Sequence, residues 1–333
     1  MLHILVSLIK LYPDLEQNDV LKKLKFMEFK GKDKIGFDLS WGITVDIIRI
    51  ISRTADTEIN KAGQRVLRFK QQDCSEFLMN LTGEDVEQSD LRKNISSLEQ
   101  VFRVDLEGQE EYECGCTQSN MVRTEDLGFD TTRKFINCGF EEKRGKDEIE
   151  IVTLIESFLN GLSQGSGVHR SDTCERCQKS ISEVRRWTRF KSAPKVLVVA
   201  INRVSYKRTS SKLTQCVKVN SYIQVETETR NMVYQIMAII CHQGTKNCGH
   251  YVAYIHNQEQ WWLYDDSDVT CVRNIGEKVC GKEVAMCFYV PTSHDSMPSD
   301  NILIGTDNAK NVPYTRGQRS SIHDGSNKRQ KFV

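Results

Sequence analysis

The stretch Cys248-Gly249-His250-Tyr251-Val252-Ala253-Tyr254-Ile255-His256-Asn257-Gln258-Glu259-Gln260-Trp261-Trp262-Leu263-Tyr264-Asp265-Asp266-Ser267 reads as two strands around a polar turn. If His256 pairs near Gln260, antiparallel register sets His250 across from Asp265 and Asp266 at the open end of the hairpin. An imidazole and a carboxylate then meet by geometry. Such a carboxylate fixes the tautomer and stabilises the protonated ring, so that the other ring nitrogen can activate a nucleophile. Gly249 leaves the approach to His250 uncrowded. The alternative is a solvent-exposed histidine at a strand end, salt-bridged to a neighbouring aspartate.

Working outward, Val196 to Asn202, Val233 to His242 and Met286 to Val290 are further β-branched or aromatic runs. Successive short strands without intervening helices imply an antiparallel sheet in the last third. Residues 1 to about 100 read as mostly helical. Leu2, Leu5, Leu8 and Ile9 stand at helical spacing, and Val45, Ile47, Ile48, Ile50 and Ile51 form an apolar face. Gln71 to Leu81 has helical character, with Asp73 three residues before Glu76 in the arrangement of a capping box. The middle mixes short strand-like runs with the helical Ile151 to Leu159. From about Thr292 large apolar residues thin out and turn formers dominate, so 292–333 reads as a disordered tail. Its Lys328-Arg329-Gln330-Lys331 is either a merely solvated terminus or a short nuclear-import address.

The 333 residues carry 46 Lys+Arg against 45 Asp+Glu, a net charge of +1, so no global field draws the chain to nucleic acid or an anionic membrane. No apolar run approaches the ~20 residues of a membrane span. The apolar N-terminus lacks the basic flank and cleavage site of a signal peptide and reads as a core helix. The 12 cysteines fall unevenly, in the manner of a protein of a reducing compartment, cytoplasmic or nuclear. Cys174-Glu175-Arg176-Cys177 lets two thiolates converge on one tetrahedral cation, and Cys114-Gly115-Cys116 could supply two more, completing a structural Zn2+ site between separate hairpins. The other reading is four ordinary reduced cysteines on turns. A zinc-ribbon nucleic-acid adaptor is a third function class, but its basic patch would rest on Arg185-Arg186-Trp187-Thr188-Arg189 alone, which disfavours it.

With these residues in view, the chain resembles the ubiquitin-specific protease family of papain-like cysteine proteases over most of residues 1 to 291. Gly249 to Tyr254 with Trp261, Trp262 and Tyr264 to Val269 resembles the family's histidine box. Gln71-Gln72-Asp73-Cys74-Ser75-Glu76-Phe77-Leu78 resembles its glutamine-aspartate segment, and the paired cysteines resemble its fingers zinc site. Arg189 to Arg203 resembles the strand that crosses from fingers to palm. The resemblance implies an α+β hand: a thumb at 1–100, zinc-bearing fingers at 101–215 and an antiparallel palm at 216–291. It implies His250 as general base, Asp265 as its orienting partner with Asp266 adjacent, and Asp73 and Glu76 beside the groove that takes the basic tail of ubiquitin or a ubiquitin-like protein. For Asp73 and Glu76 the alternative is helix capping alone. Ubiquitinated proteins would be the substrates.

The family opens with a cysteine box, yet no cysteine here precedes Cys74, which stands where the family carries a small helix residue. Cys248 reads as a small packing residue beside His250. Without a thiolate the His/Asp pair has nothing to deprotonate, so the chain as written is expected to be inactive. It is then either a non-catalytic ubiquitin-binding relative or a chain lacking an N-terminal segment. Where an N-terminal element that would cover the thumb core is absent, Leu2, Leu5, Ile9 and their neighbours are expected to be left exposed as an apolar patch.

Overall fold

Leu197-Val198-Val199-Ala200-Ile201 is apolar at every position because both faces of the strand it forms are covered. Leu197, Val199 and Ile201 enter one hydrophobic cluster with Tyr254, Cys287 and Tyr289. Val198 and Ala200 enter the other, with Ile240, Ile255 and Phe288. The computed structural model describes residues 4, 7–8, 11–12, 56–59, 65–68, 73–82, 100–113, 122–139, 148–163, 184–205, 211–227, 230–257, 259–266, 268–293 and 296–304.

The first described elements are β1 (Asp56–Ile59), β2 (Arg65–Arg68), α1 (Cys74–Thr82), β3 (Val104–Glu113), β4 (Val122–Arg133), β5 (Ile136–Gly139), β6 (Glu148–Glu150) and α2 (Ile151–Ser163). Then follow β7 (Val184–Phe190), β8 (Leu197–Asn202), β9 (Val204–Ser205), β10 (Ser211–Lys212), β11 (Cys216–Asn220), β12 (Tyr222–Glu226) and β13 (Asn231–Gly244). The chain continues through β14 (Gly249–Asn257), β15 (Gln260–Asp265), β16 (Asp268–Val272), α3 (Ile275–Lys278), β17 (Val284–Pro291) and β18 (Leu303–Ile304).

An eight-stranded sheet in the order β16-β15-β14-β13-β17-β8-β5, with β12 also paired to β13, forms the body. All its pairings are antiparallel except β5 with β8. The antiparallel sheet expected of the last third is therefore present, and β5 and β8, from inside the range expected for the fingers, enter it as well. A β-bulge between Ile236 and Ala238 puts Met237 and Ala238 in the same cluster, while Ile236 and Ile239 join the opposite one.

One face is covered by α1 through Leu78, by Val101 and Phe102, and by the helical residues Ile4 and Leu8, both fully buried one turn apart. The Tyr12 hydroxyl donates to the Lys195 carbonyl at 2.5 Å, tying this segment to the start of β8. Leu2, Leu5, Ile9 and the Val45 to Ile51 run lie outside the described residues. The hairpin β1–β2 adds two short strands to the first hundred residues, which read as mostly helical. Its four-residue arms are too short to display a period of two, and tertiary pairing decides them.

Three strands, β4-β3-β7, form a separate antiparallel sheet. Its register sets Arg185 opposite Glu111, Arg186 opposite Glu110 and Arg189 opposite Glu107, and Arg189 ion-pairs with the buried Glu107. The basic cluster that would have carried nucleic-acid binding is thus set against an acidic strand of its own sheet.

The chain end corrects the sequence reading. Residues 292–333 were expected to form a disordered tail, yet β18 pairs with β11, Val219 opposite Ile304 and Asn220 opposite Leu303. Ser221 Oγ donates to the Ile302 carbonyl (2.7 Å), and Asn301 Oδ1 accepts from the Tyr222 amide (3.0 Å). Two apolar residues in polar surroundings gave too little period to be read as a strand, but Ile304 is 1% exposed and fills the core beside Val219. Ile304→Ala is expected to cost about 2–4 kcal/mol, measured as a lowered urea midpoint. Residues 305–333 lie outside the described residues. Among the described residues, no helix is long and apolar enough to cross a membrane.

Candidate active site

The hairpin β14–β15 is as the sequence drew it, with the register moved by one residue: His256 lies opposite Trp261 and Asn257 opposite Gln260. The ladder ends at Ala253 and Tyr264. In this register Asp265, and not Asp266, shares a face with His250 as a diagonal neighbour. His250 Nε2 donates to Asp265 Oδ1. That bond fixes the tautomer with its proton on Nε2 and leaves the Nδ1 lone pair as the base. Both side chains are partly exposed, 40% and 47%, so a reacting group can reach them.

Asp266 has φ +50 and turns the chain from β15 into β16, whose ladder begins at Asp265 opposite Asp268. Aspartate tolerates this left-handed position better than most residues. Donor atoms of His250, Asp265 and Asp266 lie within 4.8 Å of one another, a set that could also meet a divalent cation.

The loop that delivers His250 is tightly built. Gly244, at φ +117, pairs with Gly249. Between them the Thr245 amide donates to the Cys248 carbonyl (2.8 Å), and the Cys248 amide to Thr245 Oγ1 (3.3 Å). Cys248 is exposed, with Sγ 3.4 Å from Thr245 Oγ1. It is not the packing residue expected, because the turn lifts it off the sheet.

Asp73 caps α1: its Oδ1 accepts from the amides of Ser75 (2.8 Å) and Glu76 (3.3 Å). Its other oxygen accepts from the Tyr251 hydroxyl at 3.3 Å, which joins the helix start to the residue after His250. Glu76 is exposed on the first turn. The His242 ring stacks on Tyr251 with centroids 4.5 Å apart. Burial, and then the Lys212 ammonium, push its pKa down, against a pull from Asp73. Sequence reasoning missed His242 and the Asp73–Tyr251 contact. The one available signal was a Gly on each side of a polar turn ahead of a histidine.

Cys74 is buried behind this cluster, and burial together with Asp73 pushes its thiol up to about 12. Burial likewise raises Cys138 to about 12. Thiols held this high are protonated at neutral pH and are poor nucleophiles. Cys114, Cys116, Cys174 and Cys177 lie outside the described residues.

The sequence model of the family described as ubiquitin carboxyl-terminal hydrolase matches residues 47–289. Ubiquitin carboxyl-terminal hydrolase 4 of Bos taurus is 27% identical over 169 residues, covering 48% of this chain and 17% of the relative. Ubiquitin carboxyl-terminal hydrolase 8 of Arabidopsis thaliana is 27% identical over 157 residues, covering 44% and 17%. Among solved structures, the SAGA Ubp8/Sgf11/Sus1/Sgf73 DUB module bound to ubiquitin aldehyde is similar at a TM-score of 0.46 and 19% identity, covering 70% of this chain and 51% of that one. The chain thus spans only a small part of the curated relatives' length and about half of the solved chain.

Proposed function

The chain belongs to the ubiquitin carboxyl-terminal hydrolase family, and from that premise we propose that residues 1–333 bind ubiquitin or a ubiquitin-like protein and hold the base half of a thiol isopeptidase, without cleaving the bond by themselves. The observation that carries the reading is the His250–Asp265 hydrogen bond, which leaves Nδ1 free to take a thiol proton while Asp265 stabilises the imidazolium. Asp73 and Glu76 give the start of α1 a negative charge suited to a basic peptide tail, that of ubiquitin or of a modifier like it. Substrates would be ubiquitinated proteins of the cytoplasm or nucleus.

Turnover needs a thiolate beside Nδ1. Burial holds the Cys74 and Cys138 thiols protonated, and the exposed Cys248, the cysteine nearest His250 in sequence, turns toward Thr245. The test is to incubate the purified chain with a ubiquitin fluorogenic substrate and with ubiquitin carrying a thiol-reactive warhead, and to titrate unmodified ubiquitin separately. Micromolar binding without turnover or covalent capture is expected. Absence of binding sinks the ubiquitin reading, and turnover abolished by His250→Ala sinks the inactive one. The intact His250–Asp265 pair favours a second reading, in which a segment outside these residues supplies the thiol; extending the expressed reading frame upstream of residue 1 then restores His250-dependent turnover.

A structural zinc site at Cys114, Cys116, Cys174 and Cys177 belongs to the same proposal. Its support is the register of the flanking strands. Tyr112 lies opposite Val184 and Glu113 opposite Val122, so β3 ends where β4 and β7 begin, and each cysteine pair stands within ten residues of one of these strand ends in sequence. Four thiolates suit a closed tetrahedral Zn2+. One zinc per chain by metal analysis, lost in Cys174→Ser, is the expected result.

A further inference from the structure

Beyond Cys241 opposite Val284, β13 outruns its neighbour β17, and the His242 amide donates to the carbonyl of Glu283, the residue before β17, at 2.8 Å. The carbonyls of His242 and Gly244 lie past that point. Lys212, on β10, donates from Nζ to both, at 2.6 Å to His242 and 2.9 Å to Gly244. These residues pair across the ladder with Tyr251 and Gly249, and Gln243 between them pairs with His250.

We infer that Lys212 is a positioning residue for His250: its ammonium replaces the missing strand edge and fixes the end of β13, through which the register of the histidine is held. This rests on the proposed role of His250 as base. Several observations converge on it. Gly244 adopts φ +117, a conformation open to glycine, and its carbonyl is one of the two that Lys212 holds. Gly249 lies so close to Gln243 that the two strands have no slack. Glu283 bonds the Gln243 side chain and also faces Lys212; burial and then Arg203 push the lysine's pKa down, and the Glu283 carboxylate opposes them. A charged donor with two carbonyl acceptors is among the stronger local ties available to a loop. Both acceptors of the lysine's hydrogen bonds are backbone carbonyls of β13, so the tie acts on the strand that pairs with His250.

The experiment compares the full chain with Lys212→Met, which keeps the aliphatic stem, and Lys212→Arg, which keeps donors. Amide hydrogen exchange is read at Thr245 and Gly249 against β8 and β17 as internal references, with the His250 imidazole observed by NMR. In Lys212→Met, exchange at Thr245 and Gly249 is expected to rise about 10-fold or more while β8 and β17 stay protected. The His250 Nε2 proton signal broadens, and Lys212→Arg restores protection at least in part. Equal acceleration of loop and core would mean a merely structural lysine and overturns the inference, as would unchanged loop exchange in Lys212→Met. Ubiquitin titration is run in parallel, with weaker binding by Lys212→Met expected. If the unaltered chain binds no ubiquitin, the functional reading fails while the exchange data still decide the role of Lys212.

Discussion

Arg203→Met is expected to cost about 3 kcal/mol or more of folding stability, the largest loss predicted for a single side chain of this protein. The Arg203 guanidinium, 6% exposed, sits where β8 gives way to β9 and donates to four carbonyls. Nε reaches Val284 (2.7 Å), Nη1 reaches Leu213 (3.2 Å) and Gln215 (3.0 Å), and Nη2 reaches Gly281 (2.5 Å). Burial lowers its pKa to about 10, so it stays charged at neutral pH. Removing it relieves a desolvated charge but takes a donor from four carbonyls; Gly281 keeps the Val217 amide (3.0 Å), while a buried carbonyl left unpaired costs about 1–3 kcal/mol. Arg203→Lys keeps the charge but not the planar fork and is expected to lose about 2 kcal/mol. Urea unfolding at constant slope measures both; a loss below about 1 kcal/mol in the methionine variant would contradict this account.

Gly249→Ala is expected to disable the candidate site while leaving the rest of the sheet folded. A Cβ there would stand 2.1 Å from the Gln243 carbonyl oxygen and 2.3 Å from His242 Nε2. The histidine ring can swing aside, but the carbonyl belongs to the paired strand and can retreat only if β13 and β14 part. Parting them moves His250 away from Asp265, since Gln243 and His250 are register partners. The strain amounts to about 1–3 kcal/mol. Because about 1 Å of misplacement costs roughly 100-fold in a positioned reaction, any His250-dependent turnover in a thiol-bearing form is expected to fall by about that factor. NMR should show the His250 Nε2 proton signal lost and β8 amides still protected. Retention of that signal would refute the prediction.

The sequence carried the palm far better than the rest, for a physical reason. Strands buried on both faces, such as β8 and β17, are apolar along nearly their whole length and stand out. The hairpin β14–β15 adds aromatic residues on both arms, and its alternation placed His250 near Asp265 within one residue of register. That single residue could not be fixed beforehand, because the turn around Glu259, at φ +63, sets the register rather than the strands. Asp73 was legible as a cap because capping is local. Its bond to Tyr251 was not, nor were the ties of Lys212 and Arg203, because each joins segments that only the fold brings together. β18 escaped notice since a two-residue strand is defined by its partner. The family match, over residues 47–289, adds what no spacing supplies: the family to which the chain belongs.

The strand order also sets a timetable for synthesis. β17 lies between β13 and β8, so the body of the sheet stays in two parts until residues 284–291 have left the ribosome. Until then β8 and β13, apolar on both faces, lack the neighbour that joins them, and Ile4 and Leu8 must wait for a floor that Met286 and Phe288 complete. A nascent chain stalled before Val284 should therefore expose sticky strand edges and recruit chaperones, and refolding from denaturant should be slow, as long-range closure demands.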